Sequence, residues 1–267
     1  MIKHIDGINY DTRSRISERY KRITKVVNQT FWGSDSNTRH TLYVGSYGRG
    51  TAVSTSDLDI LISLPAEQFD RFDGYSGNGQ SKLIQCLKEA TQTTYPRTSI
   101  HGDGQVVVIC FSDGMRFELL PAFEQICTQG YNTFLYPDSN LGGTWKTTNP
   151  KAEQYAMKDK NRTSNGLLFD TCKLIRTIRD ERFTSYHLPG IIIDSFVYSA
   201  IAGWHWGSPG IPSDSGKYEE HLLDTFNKKF TFNPTPVILT APGSEQSVSA
   251  EVNTITVLQK VLTYMTK

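Results

Sequence analysis

Two aspartates one residue apart, Asp57 and Asp59, follow a glycine-rich turn in "YVGSYGRGTAVSTSDLDILISL", residues 43–64. Side chains alternate along a strand, so a strand here puts both carboxylates on one face, with about 7 Å between their Cα atoms. Leu58, Ile60, Ile62 and Leu64 then cover the opposite face and can pack on helices. Two neighbouring carboxylates are costly unless a cation neutralises them. Mg²⁺ takes a few carboxylates together with substrate phosphates and water, and paired ions stand about 3.5–4 Å apart in phosphoryl-transfer sites. A third ligand is expected from a neighbouring strand. "MRFELLPAF" supplies it, because Glu118 alternates with Phe117 and Leu119 as a charge inside an apolar run. Asp113 competes, but its place in a Ser-Asp-Gly turn explains it without a metal.

The turn itself is not the GxxxxGK[ST] phosphate loop. Gly45, Gly48 and Gly50 still let backbone N–H groups approach phosphate oxygens, and the Ser46 hydroxyl adds a donor. A glycine turn alone, or an isolated Asp-x-Asp, says little. The turn, the aspartates twelve residues after Gly45 and the acid in a later apolar strand together point to phosphoryl chemistry.

The elements that must position these groups are legible in outline. Ile16, Tyr20, Ile23, Val27 and Phe31 recur at steps of three and four, which predicts a helix over 12–32 with Asp11 as N-cap. "HTLYV" and "LDILISL" read as strands, 82–91 as a short helix, and 105–123 as two strands joined at Ser112-Asp113-Gly114. Beyond residue 145 helices are expected at 150–162, 166–182, 190–205, 217–228 and 248–265, with loops at 207–216 and 233–245. Leu168, Cys172, Ile175 and Ile178 form the buried stripe of the second of these, leaving Lys173 and Arg176 toward its edge. The pattern predicts an α+β (mixed α/β) protein, with a sheet-bearing half over 1–145 and an all-helical half over 146–267.

The 267 residues carry a formal net charge of +1, which argues against obligatory binding of long nucleic acid. Between Lys146 and Arg182, nine Lys/Arg face five Asp/Glu, and a solvated helical face explains that local excess. No run approaches the roughly 18 apolar residues of a membrane span, and the start lacks a secretory stretch, so no membrane partner and a cytosolic (cytoplasmic) setting are expected. Cysteines 86, 110, 127 and 172 are too scattered for metal spacing or a disulfide scaffold, and read as buried free thiols.

The glycine turn, the DxD strand and the later acid resemble the polymerase-β-type nucleotidyltransferase superfamily. More narrowly, "GSYGRGTAVSTSDLDILISL" and "RFELLPAFE" are similar to the 2′-5′-oligoadenylate synthases and to their bacterial relatives. Those relatives are the cyclic-GMP-AMP-synthase-like CD-NTases of antiphage defence. "KLIRTIRDERFTSYHL" resembles that family's basic helix and following Ser-Tyr loop.

The resemblance implies a nucleotidyltransferase core with an N-terminal helix, and a helical domain closing the nucleotide cleft. It also implies an enzyme joining nucleoside triphosphates into a short cyclic signalling oligonucleotide, with an unidentified regulatory protein partner left open. Asp57 and Asp59 would hold two Mg²⁺ ions and Glu118 one of them, Mn²⁺ substituting. Gly45, Ser46, Ser185 and Lys173 or Arg176 would bind donor phosphates, and Tyr186 would stack near a base. For Lys173 and Arg176 the alternative is a helix rim, with Arg176 pairing to Asp180 at i+4; for Ser185 and Tyr186 it is an ordinary helix start. Transfer to a tRNA, protein or small molecule, and an inactive nucleotide-binding regulator, are the rival functions. Departures from the family pattern are Glu118 where Asp is commoner, Pro189-Gly190 after "SYHL", an unmatched "NPTPVILTAPGSEQ", and the lack of a Cys/His zinc insertion.

Overall fold

The computed structural model describes residues 7–128, 130–208, 211–212, 217–230 and 237–267. The chain forms two compact units. One comprises Ile8–Gly48 and Asp57–Lys151; the other includes Arg49–Ser56 and Ala152–Lys267. The sequence places one boundary at 145/146. In the structure the chain passes between the units at 151/152, and the eight residues before Asp57 pack with the second unit.

The first unit opens with α1 (Tyr10–Phe31), whose buried side includes Ile16, Ile23 and Val27. Its N-cap is Asn9, whose side chain accepts from the Thr12 backbone N–H; Asp11 lies one residue inside the helix. Then come β1 (Thr41–Tyr43), α2 (Gly45–Arg49), β2 (Leu58–Leu64), α3 (Ala66–Asp73), α4 (Gly79–Thr94), β3 (Ser99–Asp103), β4 (Val106–Cys110), β5 (Arg116–Gln125), β6 (Thr133–Asp138) and β7 (Thr144–Thr148). The strands form one sheet in the order β1-β2-β5-β4-β3, with β6 pairing β5 and β7. Only the β2–β5 pair among them is parallel. Leu58, Ile60, Ile62 and Leu64 are all buried, as the alternation requires, and α4 packs on the sheet and on α1. On the other face Leu61 joins Val44, Ala122 and Phe134 in a smaller apolar cluster.

The second unit holds α5 (Pro150–Thr163), α6 (Leu167–Arg182), α7 (Gly190–Ala200), β8 (Trp206–Ser208), β9 (Ile211–Pro212), α8 (Lys217–Phe230), β10 (Val237–Thr240), β11 (Ser247–Ala250) and α9 (Val252–Met265). Its core gathers Leu168, Cys172 and Ile175 of α6, Ile193, Phe196 and Val197 of α7, and Leu258, Val261 and Leu262 of α9. This half is therefore not all-helical. β10 and β11 pair antiparallel, and the final helix begins at Val252 because 247–250 is strand. The two-residue period was there to read: Val237 and Leu239 are buried while Ile238 is exposed. Flanking Pro and Gly masked it. The rest of the expected loops, 209–210, 213–216 and 233–236, lies outside the described residues. All four cysteines are free, but only Cys172 is fully buried. Among the described residues no helix is long and apolar enough to cross a membrane.

Candidate active site

The β2–β5 pairing settles the register on which the carboxylate reading depends. Asp59 lies directly opposite Glu118 across the parallel ladder, flanked by Leu58↔Phe117 and Ile60↔Leu119. Parallel neighbours in register point to the same face, about 4.8 Å apart at Cα. Asp57 stands one residue before β2, so it belongs to the strand's mouth and not to the strand. Its side chain is half exposed. Among the described residues no three carboxylate, imidazole or thiol groups converge to cage an ion.

The local cradle nevertheless fits a hard divalent cation. A Cβ built on Gly45 would fall 1.8 Å from Asp59 Oδ2, and Gly45 has φ +57°. Only glycine lets the turn press this closely on the carboxylate. The Val44 N–H donates to the Asp59 carbonyl at 2.9 Å, tying the turn to the strand. Gly45 and Ser46 open α2, so the expected glycine turn is a single helical turn following β1. The donor set is oxygen only and open to solvent, which suits a cation that completes its shell with water and phosphate oxygens.

Arg116, two residues before Glu118 and on the same face of β5, was given no role by the sequence reading. Its Nη2 and Nε donate to Glu118 Oε1 at 2.8 and 3.1 Å, and its Nε lies 3.9 Å from Asp57 Oδ2. Partial burial works against its charge, but the Glu118 bond and the charges of Glu118 and Asp57 outweigh that and raise its pKa further. The alternation that selected Glu118 also places position 116 beside it.

Asp113 is accounted for elsewhere. Arg15 and Arg19 of α1 each donate to it at 2.9 Å, and the Arg19 bond leads in holding its carboxyl below the usual range. It serves as the anchor between the β4–β5 turn and the first helix.

In the second unit the expected phosphate contacts divide. Arg176 is 1% exposed and its guanidinium is consumed internally. Nη1 lies 2.8 Å from Asp194 Oδ1 and donates to the Cys172 carbonyl, while Nη2 donates to the Gly190 carbonyl at 3.0 Å. A Cβ on Gly190 would sit 2.9 Å from that same Nη2. Arg176 therefore leaves the phosphate-binding set. It does not pair with Asp180 either; Asp180 takes Arg179 and the Thr55 hydroxyl, each at 2.6 Å. Lys173, three residues earlier on α6, is partly exposed, Ser185 is exposed, and both lie in this unit. Tyr186 is half exposed, with Lys260 Nζ 4.4 Å above its ring.

Asp194 is the hub of this cluster. Arg49 Nε donates to its Oδ2 at 2.8 Å, Thr51 Oγ1 to the same oxygen at 3.1 Å, and Arg49 Nη1 reaches Glu153 at 2.9 Å. Burial acts to raise the Asp194 carboxyl, but Arg176 and Arg49 together overcome it and its pKa lies below the ordinary value. Arg49 and Thr51 belong to the "GRGT" stretch. This cluster and the Thr55–Asp180 bond fasten the segment that leads into Asp57.

Residues 3–161 match the Second Messenger Oligonucleotide or Dinucleotide Synthetase domain. No curated protein matches the chain. Among solved structures, the chain is similar to the Elizabethkingia meningoseptica CdnE cyclic dinucleotide synthase with GTP and Apcpp, at TM-score 0.64 and 13% identity over 97% of this chain and 98% of that one. The Bradyrhizobium diazoefficiens CD-NTase CdnG in complex with GTP gives 0.68 and 11% over 97% and 87%. The Rhodothermus marinus CdnE c-UMP-AMP synthase with Apcpp and Upnpp gives 0.66 and 10% over 98% and 92%. At these identities the solved structures establish the mixed α+β fold. With the domain match covering more than half of the 267 residues, the chain belongs to the second messenger oligonucleotide or dinucleotide synthetases, nucleotidyltransferases of the CD-NTase kind.

Proposed function

We propose that the protein joins nucleoside triphosphates into a short cyclic signalling oligonucleotide, releasing pyrophosphate, in bacterial antiphage defence. The observation that carries the reading is the in-register Asp59–Glu118 pair under Gly45, whose φ of +57° and closeness to the Asp59 carboxylate favour glycine. Family membership supports the reaction type, and relatives described with GTP, Apcpp or Upnpp support nucleoside triphosphates as substrates. The antiphage setting rests on the resemblance of the glycine turn and the "LLPAF" tail to the bacterial branch.

In this reading Asp57 and Asp59 hold two Mg²⁺ ions and Glu118 one of them, with Mn²⁺ as a substitute. When bound, the cations polarise the attacking hydroxyl and neutralise charge on the leaving pyrophosphate. Gly45 and Ser46 hold donor phosphates through backbone N–H groups and a hydroxyl, which fixes the α-phosphorus for attack. Lys173 and Ser185 add phosphate contacts from the helical unit, and Tyr186 stacks near a base. A 2′- or 3′-hydroxyl of one nucleotide attacks the α-phosphorus of another in line. The bond to the pyrophosphate oxygen breaks, and one carboxylate of the strip accepts the hydroxyl proton.

The test is incubation with each radiolabelled nucleoside triphosphate and Mg²⁺ or Mn²⁺, followed by phosphatase treatment. A phosphatase-resistant free oligonucleotide, formed with pyrophosphate, is expected. Label found instead on tRNA or protein would replace the cyclic product with transfer to an acceptor.

A further inference from the structure

We infer that Arg116 competes with the divalent cation for Glu118, so that cation binding at the carboxylate strip depends on nucleotide. The inference rests on the cation reading above and deepens it.

Both Arg116 bonds fall on one oxygen, Glu118 Oε1, and the same guanidinium stands 3.9 Å from Asp57 Oδ2. It thus sits beside two of the three carboxylates proposed as cation ligands. An arginine cannot give up its proton under these conditions, so its charge stays wherever the side chain stays. A divalent cation approaching Glu118 meets a fixed positive charge on the oxygen it needs. Binding then requires Arg116 to swing away, and a carboxylate strip with no other incoming anion offers it no better partner.

A triphosphate changes both sides of this balance. It brings oxygens that can complete a cation's shell beside one or two carboxylates. It also offers the guanidinium a planar two-oxygen partner of the kind arginine prefers. Arg116 is free to make the exchange: its side chain is 39% exposed, and it lies at the first position of β5. Arg176 makes the contrast, since its guanidinium is walled in by Asp194 and two carbonyls. The consequence is an order of events in which nucleotide and cation arrive together, and the strip does not fill with cation beforehand.

The experiment is a Mn²⁺ titration followed by electron paramagnetic resonance, with and without a non-hydrolysable triphosphate analogue. Wild type, Arg116→Gln, Arg116→Lys and the double variant Asp57→Asn/Asp59→Asn are compared, with thermal melting to confirm the fold. Without nucleotide, Arg116→Gln is expected to bind Mn²⁺ about tenfold more tightly than wild type, because one like charge within a few ångströms has been removed. Arg116→Lys keeps the charge but loses the two-nitrogen hold on Oε1, and should fall between them. With the analogue the difference should vanish or invert. Equal or weaker Mn²⁺ binding by both Arg116 variants without nucleotide overturns the competition. If the double aspartate variant binds Mn²⁺ as wild type does, the cation reading itself falls; if it loses binding, a failure at Arg116 leaves that reading standing.

Discussion

Two of the clusters of acidic and basic side chains among the described residues are built on opposite terms. In the helical unit Asp194 is 0% exposed, Arg176 1% and Arg49 9%, and the charges pair with one another at 2.8–2.9 Å. In the sheet unit Asp57 is 51% exposed and Glu118 24%, and the Arg116 guanidinium reaches both. The first cluster is dry, with two arginines facing two carboxylates; the second is open to water. Burying ions is tolerable only when each has its partner, so the helical cluster has no capacity left for a ligand. Charge on the strip is cheap to keep because water reaches it, and so can a cation. Charge with access marks the chemistry, and charge alone does not.

The strongest way to break this comparison is to neutralise the strip. Asp57→Asn with Asp59→Asn is expected to lower product formation at least a thousandfold, since losing even one group that counters transition-state charge costs 10²–10³. Stability by denaturant titration should hold or rise, because repulsion has been removed. Lost stability would mean that the strip is structural like its counterpart.

The mirror experiment is Asp194→Asn, which leaves Arg49 and Arg176 buried without their shared carboxylate. A loss of about 3 kcal/mol in denaturant unfolding is expected, the usual result of removing one partner from a buried pair. If stability barely moves, the cluster is not the brace described here.

Glu118→Gln and Asp113→Asn test the strip's membership more finely. Glu118→Gln should reduce turnover about a hundredfold. Asp113→Asn gives up only solvent-exposed contacts with Arg15 and Arg19, and should leave turnover unchanged. The reverse ranking would move the third ligand to the β4–β5 turn, against the register.

Acid titration sharpens the contrast again, with a smaller effect. Asp194 has a lowered pKa in the fold, so its contribution is present above the ordinary value of about 3.9 and lost as pH falls below it. The unfolded chain binds the proton first, which makes stability fall with acid. The denaturant midpoint should therefore drop below about pH 4 in wild type, and drop less in Asp194→Asn.

The sequence made one of these clusters legible and hid the other, though both carried the same signal. Glu118 stands out as a charge in "RFELLPAF", and Asp194 is equally a charge in "GIIIDSFVYSA". Glu118 could be interpreted because its partner Asp59 lies on a strand with its own period and a glycine turn before it. Asp194 could not, because its partners Arg49 and Arg176 lie 145 and 18 positions away, and no local period links them. The same limit misplaced Arg176: helical spacing puts it near the edge of the apolar stripe, and only the tertiary partner turns it inward. Elements with strong periodicity, such as α1, β2 and α6, were legible, with α1 offset at its cap. β3, β6 and β7 were not, since "SIHGD", "TFLYPD" and "TWKTT" hold no continuous alternation and take their form from pairing with neighbours.

The smallest effect separates two basic residues on one helix. Lys173 and Arg176 stand three apart on α6, and the resemblance offered either as a phosphate ligand. The structure spends Arg176 on Asp194, so the proposal gives that task to Lys173 together with Ser185 beyond the helix end. Lys173→Ala and Ser185→Ala should each raise the apparent KM for nucleotide about tenfold, the worth of one charge-assisted hydrogen bond, with the melting temperature unchanged. Arg176→Met should do the opposite and lower the melting temperature. Binding affinity and thermal melting of the three variants, read together, decide it. If Lys173→Ala and Ser185→Ala bind nucleotide as tightly as wild type, the basic helix has no hold on phosphate and the donor rests on the Gly45–Ser46 turn alone.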